Sequence, residues 1–217
     1  MEEHHIPIEL KVRYYTSGPL SPDTEEVWIV GHGYGMLAKY FIRKFEPLQS
    51  SKRVIVAPEG SSKFYQDGFS GRVGANWMTK EDRLVDIENN IQFLNGVYNL
   101  ILDKTNSSTR IIVFGFSQGV ATFSRWVLHQ EFHLDHLVLW AGDFPPDIEK
   151  DKARERLKDL KVTLVYGKQD EFITEERIQM QKDRFSALDH FPEIIIFDGG
   201  HDIPAESLLK VAELTSG

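Results

Sequence analysis

Arg110-Ile111-Ile112-Val113-Phe114-Gly115-Phe116-Ser117-Gln118-Gly119 is the stretch on which the reading of this chain turns. Ile111 to Phe114 form a continuous apolar run, as expected of a strand buried on both faces. Gly115 to Gly119 form a G-x-S-x-G pattern, followed by a helical pattern from Gln118 to about His129. A serine so placed is expected on a tight, strained strand-to-helix turn, because side chains two residues before and after it would clash across the turn. Its hydroxyl would project at the carboxyl edge of a sheet, with a helix N-terminus beneath it whose dipole favours developing negative charge. The plainer reading is a serine capping a helix.

Two later strands end in groups that would complete a nucleophilic site. Val162 to Tyr166 is followed by Gly167-Lys168-Gln169-Asp170, and Glu193 to Phe197 by Asp198-Gly199-Gly200-His201. Ser117, Asp170 and His201 would then share the carboxyl edge of a parallel sheet, where open α/β sheets bind ligands. The chemistry explains the residue types. A neutral His201 takes the serine proton and returns it to the leaving group, and Asp170 fixes its tautomer and stabilises the imidazolium. Asp143, after the strand His136 to Trp140, is the alternative acid. Asp198 reads as structural, and Asp202 is expected to point away from the ring.

The rest of the chain alternates short β-branched runs with longer amphipathic ones, the pattern of a mainly parallel sheet with helices on both faces. Residues 1–217 are expected to form a single α/β domain. Strands are expected at Ile8 to Tyr15, Val27 to Val30 and Val54 to Ala57, and helices at Leu37 to Leu48, Glu81 to Leu102, Pro146 to Leu160, Thr174 to Leu188 and Ala205 to Leu214. Glu59 to Asn76, rich in glycine, reads as a long loop, often a functional feature in a compact domain.

Composition narrows the function. The net charge of -8 repels phosphate backbones, which argues against general nucleic-acid binding and against strong attraction to anionic membranes. There is no cysteine, so disulfides, thiolate metal sites and a cysteine nucleophile are excluded. The N-terminus has no signal-peptide pattern and no apolar run approaches spanning length. A cytoplasmic protein without stable membrane insertion is the expectation, with no metal and no cofactor.

Gly31-His32-Gly33-Tyr34-Gly35 follows the second strand. One reading is a dinucleotide turn with Glu59 near a ribose, but G-x-G-x-x-G needs glycine where Met36 stands. The other reading is an oxyanion hole, with the backbone N–H of Tyr34 and that of Gln118 as donors. Because the second donor is main chain, Gln118→Ala is expected to keep activity within about tenfold. Trp77, Met78, Phe144, Phe172 and Ile203 are candidates to line an apolar acyl pocket; core packing is the competing role for each.

Together these residues resemble the phospholipase/carboxylesterase family of α/β-hydrolases, which includes the acyl-protein thioesterases. The resemblance runs from Val27 to the C-terminus. It is carried by His32-Gly33, by Gly115 to Gly119, by Asp170 and by Gly200-His201. It implies an α/β-hydrolase fold, oxyanion donors at Tyr34 and Gln118, and hydrolysis of carboxylic esters or thioesters without a cofactor on a small-molecule or acylated substrate. Val120 stands where the family often has a second glycine, Gly35-Met36-Leu37-Ala38 where it often has an acidic residue, and Trp77-Met78 where it has Trp-Phe. These departures leave the reaction intact and bear on the substrate. A non-catalytic binding protein of the same fold is the competing function.

Overall fold

The computed structural model describes residues 1–129 and 131–215. The elements are β1 (Tyr14–Thr16), β2 (Glu26–Gly31), α1 (Ala38–Phe41) continued by a 3₁₀ helix (Ile42–Leu48), β3 (Arg53–Pro58), β4 (Ser62–Asp67) and β5 (Ser70–Asn76). Then follow α2 (Arg83–Lys104), β6 (Arg110–Phe116), α3 (Gln118–His129), β7 (His136–Trp140), α4 (Lys150–Leu157), β8 (Lys161–Gly167), α5 (Glu175–Ser186), β9 (Glu193–Phe197) and α6 (Ala205–Thr215). Seven strands form one sheet, ordered β1-β3-β2-β6-β7-β8-β9. Only β1 runs antiparallel to its neighbour.

Successive residues of each strand feed opposite cores, as a pleat requires. Val27, Ile29, Ile111, Val113, Leu137 and Leu139 face α2 to α5 through Leu94, Trp126, Ala153 and Phe185. Trp28, Val30, Ile112, Phe114, Val138 and Trp140 face the other layer, where Phe41, Phe45, Leu208 and Val211 close it. Helices therefore cover both faces, and the central strands are apolar throughout because neither face meets water. The parallel register brings the ends of β2, β6, β7, β8 and β9 to one edge: Gly31 lies beside Gly115, Phe116 beside Trp140, and Gly167 beside Phe197.

Several boundaries differ from the sequence expectation. The first strand shrinks from Ile8–Tyr15 to Tyr14–Thr16, because β3 ends at Pro58, opposite Tyr14, and the residues before have no partner strand. Leu37 to Leu48 is four residues of α-helix followed by a 3₁₀ helix containing Pro47, which lacks the N–H that an α-helix would use. The Pro146 to Leu160 helix starts only at Lys150, where the Glu149 carboxylate accepts from the N–H groups of Asp151 and Lys152 at 2.9 and 3.0 Å. The glycine-rich loop contains the antiparallel hairpin β4–β5, outside the main sheet. No helix among the described residues is long and apolar enough to cross a membrane.

Candidate active site

Ser117 sits between β6 and α3 with φ of 53°, a left-handed conformation that costs a non-glycine residue about 1–2 kcal/mol. Its N–H donates to Trp140 O at 2.9 Å, tying the turn to the end of β7. The two motif glycines allow the approach. A Cβ on Gly119 would lie 2.5 Å from Gly31 O, and one on Gly115 would lie 2.8 Å from Gly119 O.

Three side chains form a hydrogen-bonded line. Ser117 Oγ lies 3.0 Å from His201 Nε2, and His201 Nδ1 lies 2.8 Å from Asp170 Oδ2. The Asp170 side chain is fully buried, and its Oδ1 accepts from Phe172 N–H at 2.9 Å. With a carboxylate at Nδ1, the proton of a neutral ring sits there, and Nε2 is free to accept from the serine. Asp143 is engaged elsewhere, by Arg177 Nη2 at 2.6 Å and Gln181 Nε2 at 3.0 Å. Asp198 is exposed beside Lys168, and Asp202 pairs with Lys44.

The turn after β2 lies directly against Ser117: a Cβ on Gly33 would come within 3.1 Å of Ser117 Cβ. Gly35 N–H donates to Ala75 O at 2.9 Å and Ala75 N–H to Met36 O at 3.3 Å, so β5 braces this turn in strand fashion. Tyr34 stacks on Phe64 with centroids 5.0 Å apart, and Gln66 bonds Gly35 O. The Tyr34 N–H has no acceptor among the described residues, and the Gln118 N–H, at the first position of α3, has no intrahelical one. The Glu59 carboxylate is buried, accepting from Ala38 N–H at 3.0 Å and pairing with Arg13, so it is not available to a ribose.

The sequence comparison bears on this geometry. The Phospholipase/Carboxylesterase family model matches residues 21–216. The chain belongs to that family. No match was found among the curated proteins. Solved structures of similar fold include acyl-protein thioesterase 2 of Zea mays, with 19% identity, TM-score 0.67 and 94% and 97% of the two chains covered. A carboxylesterase from Mesorhizobium loti has 16% identity, TM-score 0.71 and 95% of each chain covered. A phospholipase/carboxylesterase from Dyadobacter fermentans has 14% identity, TM-score 0.69 and 95% and 97% covered. Family membership makes this an esterase/thioesterase-type α/β-hydrolase.

Against that family background, the five pocket candidates separate. Phe172 is half exposed and packs edge-on against the His201 ring at 4.9 Å. Met78 is half-buried beside the Arg125 guanidinium. Trp77, Phe144 and Ile203 are buried in the cores. Trp77 is stacked on His32 at 4.8 Å and donates from Nε1 to His32 O at 2.8 Å; Phe144 packs on Phe185. These three take the core-packing role that competed with an acyl lining. Phe116, not singled out from sequence, also packs against the His201 ring, with centroids 4.9 Å apart.

The Gln118 side chain also has a task that sequence did not reveal. Its Nε2 donates to Asn76 Oδ1 at 2.7 Å and Met78 O at 2.8 Å, and its Oε1 accepts from Trp77 N–H at 3.2 Å. It ties the Ser117 turn to the root of the hairpin that braces the turn after β2. The tolerance expected from the main-chain argument is therefore revised. Gln118→Ala should cost about 10- to 100-fold in kcat with little change in KM, because three hydrogen bonds worth ~1 kcal/mol each hold the donors in register. Steady-state kinetics with circular dichroism check it; kcat within twofold of wild type would remove the side chain from the argument.

Two neutral histidines support this region and the sheet. His32 Nδ1 donates to Gly33 O at 2.8 Å, and its Nε2 accepts from Gly60 N–H at 3.0 Å, a pairing that only the neutral ring can make. Burial pushes its pKa down to about 4. Burial, with Lys161 and Arg110 nearby, does the same to His136, whose Nε2 lies 2.8 Å from Thr163 Oγ1. Below about pH 6.5 the unfolded chain takes up protons that these folded rings refuse. Stability should thus fall between about pH 6.5 and 4, by up to ~1.4 kcal/mol per pH unit for each ring, and be unaffected by them above that window. Urea midpoints across that range test the slope, which His136→Gln should lower by about one proton; an unchanged slope would contradict it.

Proposed function

We propose that this protein is a serine hydrolase that cleaves carboxylic esters or thioesters through an acyl-enzyme. The observation that carries the reading is the unbroken line from Ser117 Oγ through His201 to buried Asp170. In it, His201 Nε2 removes the Ser117 proton as Oγ attacks the substrate carbonyl carbon. The negative charge that develops on the carbonyl oxygen is met by the N–H groups of Tyr34 and Gln118. The imidazolium, steadied by Asp170, then protonates the departing alcohol or thiol. Water enters, gives a proton to His201 and attacks the acyl-serine, and return of that proton to Oγ releases the acid.

Family membership supports the ester or thioester class. The decisive test is labelling of purified protein by a fluorophosphonate probe, with mass spectrometry of the modified peptide, beside a panel of p-nitrophenyl esters and acyl thioesters. Phosphonylation of Ser117 together with turnover is expected. A protein that binds the esters without labelling or turnover would instead be a ligand-binding member of the fold.

A further inference from the structure

Residues 6–12 carry a strand pattern that the single chain leaves unused. Ile6, Ile8, Leu10 and Val12 alternate with Pro7, Glu9, Lys11 and Arg13, and the next residue in step is Tyr14, in β1. All four aliphatic side chains are exposed, and the segment has no strand partner because β3 ends at Pro58, opposite Tyr14. It is tied down at His5, whose Nε2 lies 2.9 Å from Asp82 Oδ2, and at Arg13, which pairs with Glu59. β1 itself is an end strand of the seven-stranded sheet, with one edge open. The hydrogen bonds show which groups line that edge. Arg13 O accepts from Glu59 N–H at 3.0 Å and Ser17 N–H donates to Ile55 O at 3.0 Å, so odd-numbered residues aim their main-chain groups at β3. Even-numbered residues therefore aim theirs outward. Carried back along the chain, this alternation turns the N–H groups of Ile6, Ile8, Leu10 and Val12 to the open edge. Pro7, which has no N–H, falls on the other side, beyond the end of β3, where none is needed.

We propose that this edge is a dimer interface, in which residues 6–14 pair antiparallel with the same residues of a second copy about a twofold axis at Leu10. Charge selects both partner and register. With Leu10 opposite its own copy, Glu9 faces the partner's Lys11, and symmetry repeats that ion pair. Ile8 then faces the partner's Val12, and Ile6 the partner's Tyr14, so one face is apolar throughout. Axes at Glu9, Lys11 or Val12 set like charges directly opposite each other, and an axis at Ile8 sets Val12 against the partner's His4. An axis between two residues sets the apolar positions against the polar ones. Tyr14 already packs on the core that α2 covers, so the partner's Ile6 extends that core. The strand expected from Ile8 to Tyr15 would thus form near its full length, across two chains. Main-chain bonds join the sheets end to end, as in strand addition generally, and the pairing hides an edge that would otherwise recruit other chains.

Sedimentation equilibrium of the whole chain should give a dimer. Leu10→Asp, which sets two carboxylates against each other on the axis, should leave a monomer. Glu9→Lys and Lys11→Glu should each weaken the dimer about tenfold, and the exchange Glu9→Lys/Lys11→Glu should restore it. These positions lie outside both cores, so the circular dichroism of every variant should match wild type. The chain has no cysteine, which permits a check of the register. Leu10→Cys should form a disulfide between copies under mild oxidation, since hydrogen-bonded partners stand about 5.5 Å apart at Cα. Ile8→Cys should not, because the two copies of that position are four residues out of step, about 14 Å apart. A protein still monomeric at about 100 µM overturns the proposal. A dimer that survives Leu10→Asp, or that links through Ile8→Cys as readily as through Leu10→Cys, overturns it as well, because the contact or the register then lies elsewhere.

Discussion

Ser117→Ala should lower kcat for a p-nitrophenyl ester by about a million-fold and abolish fluorophosphonate labelling, because no other group near His201 can form the acyl-enzyme. The protein should remain folded, since alanine and serine bear the left-handed backbone at position 117 at similar cost. Ser117→Gly sharpens the test. Glycine relieves that strain, so this inactive variant should melt at or above the wild-type temperature, by a few degrees for each ~1 kcal/mol gained. Retained labelling in Ser117→Ala, at any other serine, would reject the nucleophile; a large drop in melting temperature for Ser117→Gly would reject the account of the turn as strained.

The second large effect distinguishes two acids. Asp170→Asn should cost about 10⁴-fold in kcat. The reason is directional. Asp170 Oδ1 accepts from Phe172 N–H; if the asparagine oxygen keeps that bond, its NH₂ faces His201 Nδ1. That nitrogen must then accept, which puts the ring proton on Nε2 and leaves nothing to take the proton from Ser117. Asp143→Asn weakens only the contacts with Arg177 and Gln181, so activity should stay within about tenfold. Kinetics of both variants decide the matter, and the reverse ranking would transfer the acid role to Asp143.

What could be read from sequence, and what could not, follows from the range of the interactions involved. Strands β6 to β9 carry apolar runs that are visible in one dimension: β6 to β8 because both their faces are covered, and β9, a partly buried edge strand, through Ile194, Ile195 and Ile196. Ser117, Asp170 and His201 follow the ends of those strands, and their meeting at one edge is a consequence of parallel register alone. The choice of Asp170 over Asp143 is of another kind, since both follow a strand; the competing partners Arg177 and Gln181 lie on α5, more than thirty residues further along. The β4–β5 hairpin was obscured by Gly68, Gly71 and Gly74, poor strand formers individually. Two of them take positive φ at its turn, and the third lets β5 approach Gly35, where a Cβ would come within 2.7 Å of the backbone. The burial of Trp77 was equally hidden, because the residues that cover it, His32 and Phe123, are distant in sequence.

That hairpin has a consequence for endurance. Most of its residues face water, and a two-stranded ribbon is marginally stable when left to itself. The proposed oxyanion turn borrows its rigidity from this ribbon, whereas Ser117 and Asp170 are anchored in a sheet covered on both faces. Heat or denaturant would loosen the ribbon at a free-energy cost below that of global unfolding. The protein should therefore fall silent as a catalyst while its spectroscopic signature of folding is still complete, and recover on cooling because the sheet that guides the ribbon home was never lost.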